Sequence, residues 1–478
     1  MRKSLFTLAL LLLVGFSSTA QKVEFEEFDL DNGLHVVLHQ DNTAPVVTVG
    51  VMYDVGGKDL GGSLEAPRSG FAHFFEHLLF EGTENIDRGE WFTIVSSNGG
   101  SNNANTSLDR TYYYEVFPSN SLELGLWMES ERMLHPVIDQ IGVDTQNEVV
   151  KEEKRQSYDN RPYGQFLFAV SENLFKNHPY KNKNIGEMAD LDASTLEEFK
   201  DYFKKWYGPN NAVLVIAGDI DTAEAKVLAK KYFKDIPRGT TPVRNFSKEE
   251  PITQAIAAKY FDPNIQVPAI ITAYRTPGYA ERDSYVLNMV SAYLSDGKTS
   301  KLYKKLVDDK KMALQAGAIN VAQMDYSVYA VYGLPLGKTS LDDLLMEMDE
   351  EIVKLQTDLI SDRDYQKLQN KFENRFVNSN SSVQGIANSL VRYHMLYDDI
   401  NLINNEIETG ITAHFIEEGC DVGDIVYQER IKIENYYTGA DLLNIFQIEY
   451  PKIIYKVLES ISKVNFVRIP QNINVATY

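Results

Sequence analysis

His73, Glu76 and His77 lie within five residues, His73-Phe74-Phe75-Glu76-His77, inside an apolar stretch between Ser69 and Phe80. At about 100° per helical residue both imidazoles and the carboxylate fall on one helix face, and Phe74, Phe75, Leu78 and Leu79 take the other. That spacing lets two neutral imidazoles grip one divalent ion while the carboxylate stands beside the ion's open position as a proton acceptor. A packed helix with incidental histidines is the simpler reading. The chain has only eight histidines, however, and two of them bracketing a glutamate in this register favour the metal site. The order H-x-x-E-H is the inverse of the H-E-x-x-H zinc peptidase helix.

A catalytic zinc takes three protein ligands, so a third must come from elsewhere. The run Gln146-Asn147-Glu148-Val149-Val150-Lys151-Glu152-Glu153-Lys154-Arg155 reads as a helix with one packed face. Glu148, Glu152 and Glu153 can each ligate, and spacing does not choose among them.

Several further motifs accompany the helix. They are G-F-A-H-F-F-E-H-L-L-F-E-G-T at 70–83, G-G-S-N-N-A-N-T at 99–106, V-V-K-E-E at 149–153 and H-P-Y at 178–180. W-Y-G-P-N-N-A-V-L-V-I-A-G-D-I-D at 206–221 and S-K-L-Y-K-K-L-V at 300–307 follow. Together they make the chain resemble the pitrilysin, insulin-degrading enzyme and mitochondrial processing peptidase family of zinc peptidases, of the exported bacterial two-domain type. The resemblance runs from residue 25 to 407 and is stronger in the first half.

The resemblance implies Zn2+ held by His73, His77 and Glu153, with Glu152 as the alternative ligand after a one-residue slip. It implies Glu76 as general base, taking a proton from water and passing it to the leaving amine. Manganese or cobalt suits the same donors. Gln146 stands where the family commonly has a glutamate supporting the site from outside the ligands. Asn103 and Ala104 fall on the family's edge strand that pairs with extended substrate, which fits degradation of many peptides. Single-chain relatives grip the substrate carbonyl with an Arg and a Tyr, but here Val307 and Leu314 occupy those places. The family's two-subunit members pair a zinc-bearing chain with a related one lacking zinc, so a hetero-oligomer is expected.

The expected function is a zinc-dependent endopeptidase for peptides or small unfolded proteins. The alternatives are a catalytically weak peptide-binding or scaffold subunit, and a processing peptidase for one precursor.

The fold class expected is α+β, with two homologous-looking halves, each an antiparallel sheet flanked by helices, only the first carrying metal. Strands at 34–38 and 46–53, helices at 119–134 and 196–206, and a strand at 212–217 build a metal-bearing domain over 24–237. Pro237-Arg238-Gly239-Thr240-Thr241-Pro242 opens a linker over 238–257. The second domain, 258–478, begins with a strand at 269–274 and a helix at 283–294. Aligning Leu79-Phe80-Glu81-Gly82 with Leu294-Ser295-Asp296-Gly297 sets His73, Glu76 and His77 against Asn288, Ser291 and Ala292. From about Thr409 the family pattern is lost, through divergence or a shifted reading frame.

Residues 1–20 read as a secretory leader: Arg2 and Lys3, an apolar run from Leu5 to Phe16, then Ser18-Thr19-Ala20. Cleavage near Ala20 would place the protein in the periplasm or outside the cell, without a lipid anchor because Gln21 follows. No later stretch is long enough for a membrane span. Cys420 is alone and makes no internal disulfide. A net charge of −21 argues against nucleic acid and anionic membranes as partners.

Overall fold

A computed structural model describes residues 23–63 and 65–404, together with two further strands, 408–414 and 425–432. The leader, Cys420 and most of the tail lie outside the described residues. The chain divides into two compact units. One comprises residues 24–400, and the other is formed by residues 1–23 with 401–478.

In the larger unit, β1 (Glu26–Asp29), β2 (His35–Gln40) and β3 (Val46–Tyr53) are followed by a minimal ladder of β4 (Gly61–Gly62) with β5 (Pro67–Arg68). Next come α1 (Phe71–Leu78), α2 (Glu90–Ser97), β6 (Ser101–Thr106), β7 (Thr111–Pro118), α3 (Leu122–Leu134), α4 (Gln140–Lys154) and α5 (Phe166–Leu174). The short α6 (Met188–Ala193), α7 (Leu196–Trp206), β8 (Ala212–Gly218) and α8 (Thr222–Phe233) complete this part. Its six-stranded sheet has the order β1-β2-β8-β3-β7-β6.

Alternation along these strands sorts the side chains. Val36 and Leu38 of β2, Val49 and Val51 of β3, and Leu214 and Ile216 of β8 enter one core beneath α1, α3, α7 and α8. Val37, Met52, Val213 and Val215 point the other way and are equally buried. Both faces of β8 are therefore covered, which explains its unbroken apolar run. The sheet is antiparallel except for the β2–β8 pair, which is parallel. Such a pair needs a long connection, and here most of the first half intervenes.

The second part repeats the order strand, helix, hairpin: β9 (Ile270–Pro277), α9 (Arg282–Ser295), β10 (Ala313–Val321) and β11 (Tyr326–Pro335). Its antiparallel sheet runs β10-β11-β9, and α10 (Leu341–Thr357), α11 (Asp362–Ser379) and α12 (Val383–Tyr397) follow. Leu294, Leu306, Val331, Leu344 and Met348 fill its core.

Each part contributes a helix to the other's sheet. The stripe Val383, Ile386, Ala387, Leu390 and Val391 of α12 is buried, with α12 lying against β3 and β8 of the first sheet. Conversely, Val170 and Leu174 of α5 pack with Ile271, Ala273 and Val328 of the second sheet.

The segment expected as a linker has no helix or strand but is firmly attached. Arg244 pairs with Asp54 at 2.8 Å and Asp59 at 2.7 Å and lies over Trp206. Glu249 Oε1 accepts the backbone N–H groups of Lys176, Asn177 and His178.

A buried ionic node also joins the two parts. Lys58 Nζ lies 2.9 Å from both Asp109 Oδ1 and Asp325 Oδ2, and Tyr180 donates to Asp109. The His178 imidazole is 3.4 Å from Asp325 Oδ2. The H-P-Y motif at 178–180 thus closes on the β10–β11 turn.

In the smaller unit, Val23 N donates to Asn404 Oδ1, and Glu408–His414 pairs antiparallel with Ile425–Lys432. The rest of the stretch beyond Thr409 lies outside the described residues. No described helix is long and apolar enough to cross a membrane.

Candidate metal centre

The entry into α1 is set by backbone geometry. Gly70 has φ +86°, and a Cβ there would come within 2.8 Å of both Gly186 Cα and Ile185 O, so only glycine allows this approach. Ser69 fastens the same point, its N and Oγ both donating to Asp190 Oδ2. Phe71, Phe74 and Phe75 then stack on Phe199 and Tyr202 of α7. At the other end, Arg132 Nη1 donates to Leu79 O, a carbonyl the helix leaves unpaired, and Tyr113 OH adds a second donor to Phe75 O, which already accepts the Leu79 N–H; both side-chain bonds are 2.9 Å.

Arg132 is a residue the sequence reading missed. It is fully buried among Phe80, Trp91 and Tyr113 and pairs with Glu115 and Glu129 at 3.1 Å each. Burial, then the neighbouring Glu129, pushes the Glu115 carboxyl well above its ordinary value. The i, i+3 pair Glu129/Arg132 on an apolar helix was the available signal.

With α1 held in this way, its polar face meets α4. His73 Nε2 lies 3.6 Å from Glu153 Oε1 and His77 Nε2 lies 3.1 Å from Glu153 Oε2. The three donor atoms fall within 4.8 Å of one another. Glu152 turns away to Arg155 and Gln156, and Glu148 pairs with Lys151, so of the three candidates Glu153 is the one that lies against both imidazoles. Hydrogen bonds to His73, then His77, hold the Glu153 carboxyl well below the usual carboxylate range. Two imidazoles and an ionised carboxylate form a donor set suited to Zn2+. His73 Nδ1 is buried without a hydrogen-bond partner.

Glu76 is half-buried on the same helix and has no hydrogen-bond or ion-pair partner among the described residues. Gln146 reaches neither imidazole. It donates to Glu81, just past the end of α1, where Arg88 also pairs. Any support it gives the site runs through that junction.

β6 lies against α1 and forms the open edge of the first sheet. The Ala104 N–H is taken by the side chain of Asn103 and not by another strand. Arg110, in the turn after β6, donates to Asn105 O at 2.8 Å. Burial, followed by Arg392 of α12, pushes its guanidinium down to about 10, and Glu76 works against that. Arg110 was also missed, because its neighbours are set by tertiary packing.

In α9, Asn288 accepts from Asn320 Nδ2, Ser291 faces the Tyr329 hydroxyl and Ala292 is buried. Val307 packs into the second core, and Leu314 is half exposed on β10.

Residues 35–187 match the profile of Insulinase (Peptidase family M16), and 193–372 match that of the Peptidase M16 inactive domain. Zinc protease PqqE of Helicobacter pylori is 30% identical over 418 residues, covering 85% of this chain and 89% of that protein. The chain belongs to peptidase family M16. Among its M16 relatives, the mitochondrial-processing peptidase subunit beta of Saccharomyces cerevisiae is 26% identical over 224 residues, 47% of each chain. The crystal structure of a protease from Helicobacter pylori superposes with a TM-score of 0.72 at 28% identity, covering 80% of this M16 chain and 92% of that one. None of His73, His77 and Glu153 lies in the stretch matched to the inactive domain.

Proposed function

We propose that this M16 chain is a zinc-dependent endopeptidase that hydrolyses extended peptides or small unfolded proteins outside the cytoplasm. The observation that carries this reading is the convergence of His73, His77 and Glu153 beside an unpartnered Glu76. Zinc held by the first three supplies Lewis-acid polarisation of the scissile carbonyl and acidifies a water. Glu76 accepts the proton of the attacking water and delivers it to the departing amine nitrogen. No covalent acyl-enzyme is formed. The open edge at Asn103 and Ala104 pairs with substrate main chain and so tolerates many sequences. Gln146, through Glu81, steadies the end of α1.

In this reading residues 24–237 form the metal-bearing domain, 238–257 the strap and 258–478 the second domain. Export rests on the leader-like residues 1–20. With Val307 and Leu314 in place of groups able to hold the substrate carbonyl, a related subunit lacking zinc completes the site. The test is cleavage of a mixed peptide library by wild type, Glu76→Gln and His77→Ala, each with metal analysis. Assayed together with a related zinc-free M16 chain, wild type cleaves broadly and both variants fail, only His77→Ala losing metal. Identical products from wild type and Glu76→Gln would leave a peptide-binding role instead, and one shared cleavage motif would indicate precursor processing. Full activity of the chain alone would refute the second subunit.

A further inference from the structure

The helix α12 comes from the second part and lies against the first sheet, whose residues Met52, Val213 and Val215 are buried on the face turned from α1. Its buried stripe, Val383, Ile386, Ala387, Leu390 and Val391, is apolar throughout. One helical turn past Leu390 the stripe ends on His394. The His394 ring stacks on His35 of β2, with centroids 3.8 Å apart and planes 12° apart. A helix docked by aliphatic side chains is thus closed by two imidazoles lying face to face.

The two rings stand in different surroundings. His35 lies between two carboxylates of β1, with Asp29 Oδ1 2.9 Å from Nδ1 and Glu27 Oε2 3.3 Å from Nε2. A protonated His35 therefore meets a carboxylate at each ring nitrogen. For His394, burial and then the His35 ring disfavour a proton, and together they outweigh Glu27, Asp398 and Asp29, which favour it. β3 and β8 meet α12 through Met52, Val213 and Val215, which carry no charge. Tyr279 reaches the last turn from the second part by donating to Leu396 O, and burial pushes its hydroxyl up, away from the range in which imidazoles titrate. A neutral ring over a charged one is attracted to it, as an aromatic face is to a cation. Two charged rings at this separation repel.

We propose that the His35–His394 stack is an acid-released latch: with His394 neutral it holds the last turn of α12 on the first sheet beside the β1–β2 pair, and protonation of His394 lifts that turn away. Because the folded His394 value lies below the unfolded value of about 6.5, the latch is complete above about pH 6.5 and fades as pH falls through the lower folded value. Acid thereby loosens the hold of a helix from the second part on the first sheet, independently of the catalytic reading.

The test is hydrogen–deuterium exchange of the full chain at about pH 7 and about pH 5, corrected for the intrinsic pH dependence of exchange and read by mass spectrometry on the last turn of α12. In wild type the protection of that turn falls about threefold or more between the two values, while α3, in the first core, keeps its own. His394→Phe keeps a ring on His35 but takes up no proton, and it abolishes the fall. His35→Phe removes the facing charge and reduces it. No fall in wild type, or a fall that His394→Phe leaves intact, overturns the proposal; should that variant not fold, a fall unchanged in His35→Phe does the same.

Discussion

The helix α1 comes after β3 and α9 after β9, and each precedes the hairpin of its sheet, yet they carry opposite contents. On α1 the face turned from the aromatic core presents His73, Glu76 and His77 to Glu153. The aligned positions on α9 hold Asn288, Ser291 and Ala292, and none belongs to a candidate metal cluster among the described residues. The scaffold alone therefore does not make a site. What differs is the donor set and the acidic helix α4 placed opposite it. The second part serves instead as a wall and an anchor, through α12, Lys58 with Asp325, and the strap at Arg244 and Glu249.

Glu76→Gln gives the largest expected difference between the two helices. Cleavage of a quenched fluorescent peptide falls by about 10²–10⁴-fold while zinc content stays at the wild-type level. Substitution of Ser291, its counterpart on α9, by alanine leaves the rate within about twofold, since a group that touches no substrate contributes nothing to the transition state. Next in size, Lys58→Met strands two carboxylates at the junction and lowers unfolding free energy by about 3–5 kcal/mol, read by urea denaturation. Gly70→Ala forces a side chain into the left-handed region against Gly186 and costs about 1–3 kcal/mol, with weaker zinc retention as the second readout.

The smallest effect is a pH dependence at the Lys58 node. Burial works to raise the Asp325 carboxyl, but the His178 imidazole and the Lys58 ammonium outweigh it and hold the group below the ordinary carboxylate range. Asp109 and Tyr180 face the same node. Because the folded value lies below the unfolded one, this contribution is complete above about pH 4 and fades as pH falls through the lower folded value. Asp325→Asn removes that part of the acid sensitivity, measured as a flatter loss of urea midpoint below pH 4.

Helical periodicity alone disclosed His73, Glu76 and His77, because all three lie within one turn and a half and need only local structure. The third candidate ligand was legible as a helix but not as a residue. Glu152 and Glu153 differ by about 100° around α4, and only the packing of α4 on α1 says which one faces inward. The apolar runs of β3 and β8 were readable for the same local reason. The parallel β2–β8 pairing was not, since it depends on which distant strand fills the place beside β2. Lys58, Arg132, Arg244 and the His35–His394 stack were also hidden. Their partners come from separate elements, and a charged or imidazole side chain in isolation reads as surface.

The exchange of α5 and α12 between the two sheets has a consequence for biosynthesis. The outer face of the first sheet, with Val37, Met52, Val213 and Val215, stays bare until residues 383–397 emerge. A nascent chain therefore has to keep nearly four hundred residues from premature association before its earliest strands are sheathed. Holding chaperones during translation or translocation would act on that interval, and expressing the first half by itself would yield aggregates.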